Sequence, residues 1–274
     1  MPAYPLAGRT MVVSGASRGI GLAIALAAAA RGANIVLLAK TAQPHPKLPG
    51  TVHTAVAEIE AAGGKAVAVV GDVRNPDDTL RTAQTAVDHF GGIDICVNNA
   101  SAIAVEPTGS LPVKRFDLMQ EINVRGTFLL TQACLPYLRE SAEAHVLTIS
   151  PPLNLSPRWL GAHPAYTQSK YAMTLLSLGW ATEFATDGIG VNCLWPQTYI
   201  ATSAVANMND GSALLESARD PRIMGDAAAE ILSRPAGYTT GNCYIDAEVL
   251  IESGVRDLSV YGGGERPIPD LFLN

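Results

Sequence analysis

Short apolar runs alternate with longer helix-like segments along this chain of 274 residues. The runs Thr10-Met11-Val12-Val13-Ser14, 34–39, 65–70, 93–97, 145–150 and 190–195 read as buried strands, with a short last one at 243–246. The spacing between them predicts helices over about 20–31, 51–62, 76–90, 114–139 and 165–186. Pro76 suits a first helical turn, and Pro136 marks an early end for the longest helix. Strands alternating with helices in this way pair in parallel and carry helices on both faces. The expected fold is therefore α/β, a doubly wound parallel sheet forming a single domain over 1–274. No internal repeat and no Gly/Ser-rich linker divides it. Residues 255–274 read as an irregular tail, packed along the surface or on a partner subunit.

Composition fits one large core: 48% of residues are hydrophobic and 16% charged. A net charge of −6 argues against a general nucleic-acid binder, which would carry a basic face. The start is too short and interrupted for a signal peptide, and the apolar stretch 20–30 is too short to span a bilayer. A cytoplasmic protein without a membrane span is expected. Cys96, Cys134, Cys193 and Cys243 are scattered and read as reduced thiols. The five histidines show no ligand spacing, so no metal site is expected.

The turn after the first strand reads Ser14-Gly15-Ala16-Ser17-Arg18-Gly19-Ile20-Gly21. Gly15 permits a tight turn, Gly19 lets the backbone approach a phosphate, and Gly21 allows close helix packing. The helix start at Ile20 offers free N–H groups and a positive dipole to a pyrophosphate. Glycines at this spacing, between strand and helix, form a dinucleotide-binding signature, which makes the expected sheet Rossmann-type. NAD-selective folds place an acid after the second strand. Here that place holds Ala39-Lys40-Thr41. Lys40 and Arg18 suit the 2′-phosphate of NADP, so NADP(H) is expected over NAD(H). Asp72, ending the third strand beside Val73, suits an adenine amino group. Asn98 suits a bridge between strands at the end of the fourth, with Asn99 and Ala100 after it.

Tyr166 and Lys170 stand four residues apart, on one face of a helix. An ammonium group beside a phenol favours the phenolate and would lower the tyrosine pKa towards neutrality. Such a tyrosine exchanges protons with a carbonyl or hydroxyl oxygen.

Taken in order, the glycine turn, Asp72, Asn98-Asn99-Ala100, Asn123 in Ile122-Asn123-Val124-Arg125-Gly126, Tyr166 and Lys170 resemble the short-chain dehydrogenase/reductase family over roughly residues 8–250. Stretches 39–48, 149–155 and 269–273 resemble one subgroup within it, some of whose members carry a further C-terminal domain. The resemblance implies that Tyr166 is the proton donor or acceptor. It implies that Lys170 binds the nicotinamide ribose and lowers the tyrosine pKa, and that Asn123 holds a water relaying protons to the lysine. It further implies a homodimer or homotetramer built on the helices at 114–139 and 165–186.

Two departures stand out. The family usually places a serine 13 residues before the tyrosine, where this chain has Leu153. Aligning the strand puts Pro151 opposite that serine, next to Ser150, which is 166 − 150 = 16 residues before Tyr166. Ser150 is the candidate substitute, with Ser156 or a backbone group as alternatives. After the sixth strand the common Pro-Gly is replaced by Trp195-Pro196-Gln197-Thr198, ahead of Ile200, expected at the nicotinamide carboxamide, and Thr202, expected at the amide or phosphates.

The expected reaction is hydride transfer between NADP(H) and a small-molecule carbonyl or secondary alcohol. Leu153, Leu155, Trp159, Leu160 and Trp195 flank the expected pocket mouth, suiting an apolar or lipid-like substrate, with 201–220 as a lid; Trp159 and Leu160 equally suit the core or a subunit contact. The alternative is a cofactor-binding redox sensor or partner-binding protein with little turnover.

Overall fold

In the computed structural model, residues 5–46, 48–208 and 211–273 are described. Seven parallel strands form one sheet: β1 (Thr10–Ser14), β2 (Asn34–Ala39), β3 (Lys65–Val70), β4 (Ile95–Asn98), β5 (His145–Ile149), β6 (Gly190–Trp195) and β7 (Cys243–Ile245), in the order β3-β2-β1-β4-β5-β6-β7. The order reverses between β1 and β4. The strand ends diverge there and leave a crevice, where open α/β sheets bind their ligands. Every residue of β1, β4, β5 and β6 is buried. They are covered on both faces, and so they read as continuous apolar runs.

The helices are α1 (Gly19–Ala30), α2 (Val52–Ala61), α3 (Pro76–Phe90), α4 (Val113–Met119), α5 (Thr127–Leu138), α6 (Pro157–Ala162), α7 (Pro164–Glu183), α8 (Ser203–Ala206), α9 (Gly211–Glu216), α10 (Arg222–Leu232) and α11 (Asp246–Glu252). α3 has its limits written in sequence. Asn75 caps its start by accepting from the Asp77 N–H at 3.0 Å, Pro76 opens it, and Gly91 ends it in the left-handed region. One face of the sheet packs on α1, α2, α10 and α11, with Ile24, Ala28, Ile223 and Ile231 fully buried. The other face packs on α3, α5 and α7.

Three sequence expectations need correction. The helix expected over 114–139 is interrupted by a π-helical turn, Gln120–Gly126, which carries Asn123. Such turns accommodate residues that make poor α-helix and often mark functional sites. Pro136 does not end α5, which continues to Leu138. The tail is irregular apart from a short turn at Ser259–Tyr261, but it does not merely lie on the surface: Leu271 and Phe272 are buried. α10 was not expected, although Ile223, Met224, Ala227, Ala228, Ile231 and Leu232 repeat at helical spacing. Among the described residues no helix is long and apolar enough to cross a membrane. No cluster of metal-ligating side chains occurs among them, and all four cysteines are free.

Candidate active site

A cavity of about 470 Å³ opens along the carboxyl ends of the strands. Gly15, Ser17, Arg18, Gly19, Ile20 and Gly21 form one wall. Lys40, Asp72, Val73, Asn99 and Ala100 extend it, and Tyr166, Lys170, Ile200 and Thr202 stand at the other end. The structure thus brings together every expected cofactor residue.

The glycine turn is built for close approach. Gly15 has φ +67°, and a Cβ there would lie 2.9 Å from the Ala100 Cα. A Cβ on Gly21 would overlap the Asn99 side-chain nitrogen and stand 2.9 Å from the Gly15 carbonyl. The tight packing at Gly21 is therefore against the loop after β4. Asn99 locks that loop beneath the turn: its Nδ2 donates to the Ser14 carbonyl at 2.9 Å, and its main-chain N–H donates to the Ser14 hydroxyl at 3.1 Å. This bare backbone cradle before a helix start fits the pyrophosphate of a dinucleotide.

Arg18 has part of its guanidinium committed. Nε donates to the Pro49 carbonyl at 2.7 Å and Nη2 to that of Gly50 at 2.8 Å. The proline-rich loop thereby holds Arg18 at the cavity, with Lys40 exposed nearby on the same wall. The Asp72 carboxylate is gripped by Arg74, through Nη2–Oδ2 at 2.8 Å and Nε–Oδ1 at 3.1 Å. Those hydrogen bonds hold its pKa below the usual carboxylate range. Arg74 also reaches Glu121 at 2.9 Å.

Asn98 ties β4 to α5 and β5, donating to the Thr131 hydroxyl at 2.8 Å and to that of Thr148 at 3.5 Å. The side chain of Asn123 is fully engaged. Its Oδ1 accepts from the Ala102 N–H at 2.7 Å, and its Nδ2 donates to the Ala102 carbonyl at 2.9 Å and the Ser169 hydroxyl at 3.0 Å. It fixes the loop after β4 to α7, one residue before Lys170.

Lys170 Nζ donates to the Ile149 carbonyl at 2.8 Å and sits 5.3 Å from the centre of the Trp195 ring. Burial pulls its pKa down to about 7, against the opposing pull of Asp270. Tyr166 is pushed up instead of down, by burial first and then by Asp270 and Tyr199. Burial and the facing acid thus act on Tyr166 in the direction opposite to the lowering expected from Lys170.

That acid belongs to the tail. Asp270 and Leu271 line the cavity beside Tyr166 and Lys170. The Phe272 ring lies between those of Trp159, Tyr166, Tyr171 and Trp195, with centroids 5.3 to 6.1 Å away. Phe272 has φ +70°, a left-handed conformation that bulky residues rarely adopt. The sequence reading missed this group because contacts over such separations leave no local periodicity; the cluster Pro269-Asp270-Leu271-Phe272 after a glycine-rich stretch was the available signal.

Ser150 is withdrawn from the cavity. It is fully buried, and its hydroxyl has no hydrogen-bond partner among the described residues. It lies with Thr174 and Ser177 around the Cys193 thiol. The Ser156 hydroxyl is likewise buried without a partner and does not line the cavity. Of the expected mouth residues only Trp195 lines the cavity; Leu153, Leu155 and Leu160 are exposed elsewhere, and Trp159 packs on Phe272. The expected lid, of which 209–210 lie outside the described residues, carries α8 and α9, and Thr202 caps α8 by accepting from the Val205 N–H at 3.4 Å.

Comparison with known proteins bears on the fold and the family. Residues 9–213 match the family model described as short chain dehydrogenase. Hydroxysteroid dehydrogenase-like protein 2 of Xenopus tropicalis is 52% identical over 98% of this chain, and the matched region is 64% of that protein's length. The chain thus spans between about half and two thirds of the length of the curated relatives it matches. A short chain dehydrogenase structure from Mycobacterium thermoresistibile is 49% identical, with TM-score 0.92, covering 98% of this chain and 96% of that one. A metagenomic short-chain oxidoreductase in complex with NADP is 26% identical, with TM-score 0.70 over 88% of this chain and 97% of that one. The fold, the matched family model and the relatives' identity agree: the chain belongs to the short-chain dehydrogenase family.

Proposed function

We propose that the protein transfers hydride between NADP(H) and a carbonyl compound or secondary alcohol, with Tyr166 handling the proton. The observation that carries this reading is the meeting of Tyr166 and Lys170 with the glycine cradle in one cavity. NADPH, when bound, supplies the hydride. Gly15 to Gly21 and the start of α1 would hold its pyrophosphate, and Lys40 with Arg18 its 2′-phosphate. Ile200 and Thr202 stand where the nicotinamide end would lie, and Asp72 and Val73 where the adenine would lie.

Burial keeps Tyr166 protonated across neutral pH, the state from which a phenol donates to a substrate oxygen. Lys170, anchored on the Ile149 carbonyl, would hold the nicotinamide ribose. Asn123 sets the spacing between the β4 loop and the catalytic helix. The end near Tyr166 is lined by Ile103, Ile149, Trp195 and Leu271, which favours an apolar substrate. Phe128 and Leu175 are exposed on α5 and α7, which favours a second copy packing there.

The test is NADPH oxidation with acetophenone, cyclohexanone and nonanal, for the unsubstituted protein and Tyr166→Phe. Turnover that Tyr166→Phe reduces at least 100-fold supports the reading. Tight NADPH binding with no turnover across a broad panel supports the alternative, a cofactor-binding sensor, which the withdrawal of Ser150 favours.

A further inference from the structure

We propose that Asp270, carried into the cavity by the C-terminal strap, hydrogen-bonds the substrate's reacting oxygen opposite Tyr166, the task expected of a serine after β5. This assignment rests on the reductase reading above and names the group that completes its site.

The first observation is a vacancy of function. Neither Ser150 nor Ser156 faces the cavity, so the hydroxyl expected to steady the substrate oxygen is not offered from that loop. The second is the position of Asp270. It lines the cavity with Tyr166 and Lys170 and acts electrostatically on both. Its Oδ1 accepts from the Leu271 N–H at 2.6 Å, while Oδ2 has no hydrogen bond among the described residues. One carboxyl oxygen is therefore fixed by its own backbone and the other is available to a ligand.

The third observation is that the strap is clamped on both sides of Asp270. The Tyr199 N–H donates to the Ile268 carbonyl at 3.1 Å, and the Asp270 N–H to that of Gln197 at 3.0 Å. Beyond it, Trp195 Nε1 donates to the Leu271 carbonyl at 3.0 Å and Asn154 Nδ2 to the Phe272 carbonyl at 2.9 Å. The Phe272 ring is then held among four aromatic rings. Supporting contacts of this kind hold a functional side chain in one geometry. The left-handed backbone of Phe272 fits the same picture, since surrounding structure must hold such a conformation in place.

The groups facing Asp270 set its protonation. Tyr166 and Lys170 face it from α7, Tyr199 from the segment after β6, and Asp246 from the start of α11. Burial and then Asp246 raise its pKa to about 7, against the Leu271 N–H and Lys170, so below about pH 7 it carries a proton to donate. In reduction the new C–H bond takes the cofactor's hydride, the carbonyl π pair moves to oxygen, and Tyr166 gives that oxygen its phenolic proton. Asp270 steadies the oxygen and transfers nothing. As pH rises through about 7 the carboxyl loses its proton and this donor is lost.

The experiment follows kcat/KM for reduction from pH 5.5 to 8.5, with NADPH affinity by fluorescence, for the unsubstituted protein, Asp270→Asn and Asp270→Ala. Asp270→Ala is expected to lose about 100-fold or more in kcat/KM, the usual cost of removing one donor to a developing oxyanion. Asp270→Asn keeps a donor of the same shape; it is expected within about tenfold of the unsubstituted protein at pH 6, with a shallower fall above pH 7, where Lys170 still titrates. Both are expected to bind NADPH within about twofold of the unsubstituted protein, which also reports that they fold. Unchanged kcat/KM in both variants, an equally steep fall above pH 7 in Asp270→Asn, or NADPH affinity falling in parallel with kcat/KM overturns the assignment while leaving the reductase reading standing. No turnover by the unsubstituted protein overturns both.

Discussion

The main-chain N–H of Asp270 donates to the carbonyl of Gln197 over 3.0 Å, joining the last segment of the chain to the loop that leaves β6. Gln197 is a junction. Its own N–H donates to Asp246 Oδ1 at 2.8 Å, and its side-chain oxygen accepts from Arg219 Nη1 at 3.2 Å. The family resemblance leads one to expect glycine there, which could make the two backbone bonds but not the side-chain one. Gln197→Gly is expected to destabilise the fold by about 1–2 kcal/mol, from the lost bond to a partly buried cation and the added backbone freedom. It should lower kcat/KM with little change in NADPH affinity, as urea melts and fluorescence titration will show.

At the cofactor end, a methyl group on Gly21 would collide with the Asn99 side chain that locks the β4 loop beneath the glycine turn. Gly21→Ala is expected to weaken NADPH binding at least tenfold, about 1.4 kcal/mol. The apparent melting temperature should fall too, because Asn99 must give up its bonds to Ser14 and Gly15.

Cofactor choice depends on the cations. Lys40→Ala is expected to weaken NADPH binding about tenfold and leave NADH within about twofold, since one charge-assisted contact to a phosphate is lost. Competition titrations with both cofactors measure this. Equal losses for the two would assign Lys40 to some other role.

Lys170 gives a pH signature. Burial lowers it from 10.5 to about 7, so between those values the unfolded chain holds a proton that the folded chain does not. Folded-state stability from this group therefore rises with pH from about 7 to 10.5, and its cost is greatest at pH 7 and below. Lys170→Met removes that cost and takes a donor from the Ile149 carbonyl and from the Met173 sulfur. The variant is expected to be more stable than the unsubstituted protein at pH 7, on the order of 1–3 kcal/mol, with the gap shrinking by pH 9.5. Urea melts at the two pH values decide it; a gap that widens at pH 9.5 contradicts the account.

Much of the fold was legible because β1, β4, β5 and β6 are covered on both faces and read as apolar runs. The caps of α3 and the glycines before α1 have local causes and were legible as well. α10 was missed although its apolar spacing was present. The site was legible where a motif is local, as at Gly15 to Gly21 and at Tyr166 with Lys170. It was not legible where distant segments meet: nothing near Ser150 announces that its hydroxyl turns towards Cys193, and nothing near Asp270 announces that it faces Tyr166. Even the direction of the Tyr166 shift depends on burial and on that distant acid.

The central claim is hydride transfer assisted by Tyr166, and isotope transfer tests it most directly. NADPH carrying deuterium at both nicotinamide C4 positions would be incubated with acetophenone, cyclohexanone or nonanal, and the alcohol formed would be read by mass spectrometry. The account predicts one deuterium on the carbon that bore the carbonyl, with label transfer reduced at least 100-fold in Tyr166→Phe. Alcohol formed without deuterium, or labelled equally well by Tyr166→Phe, would contradict it.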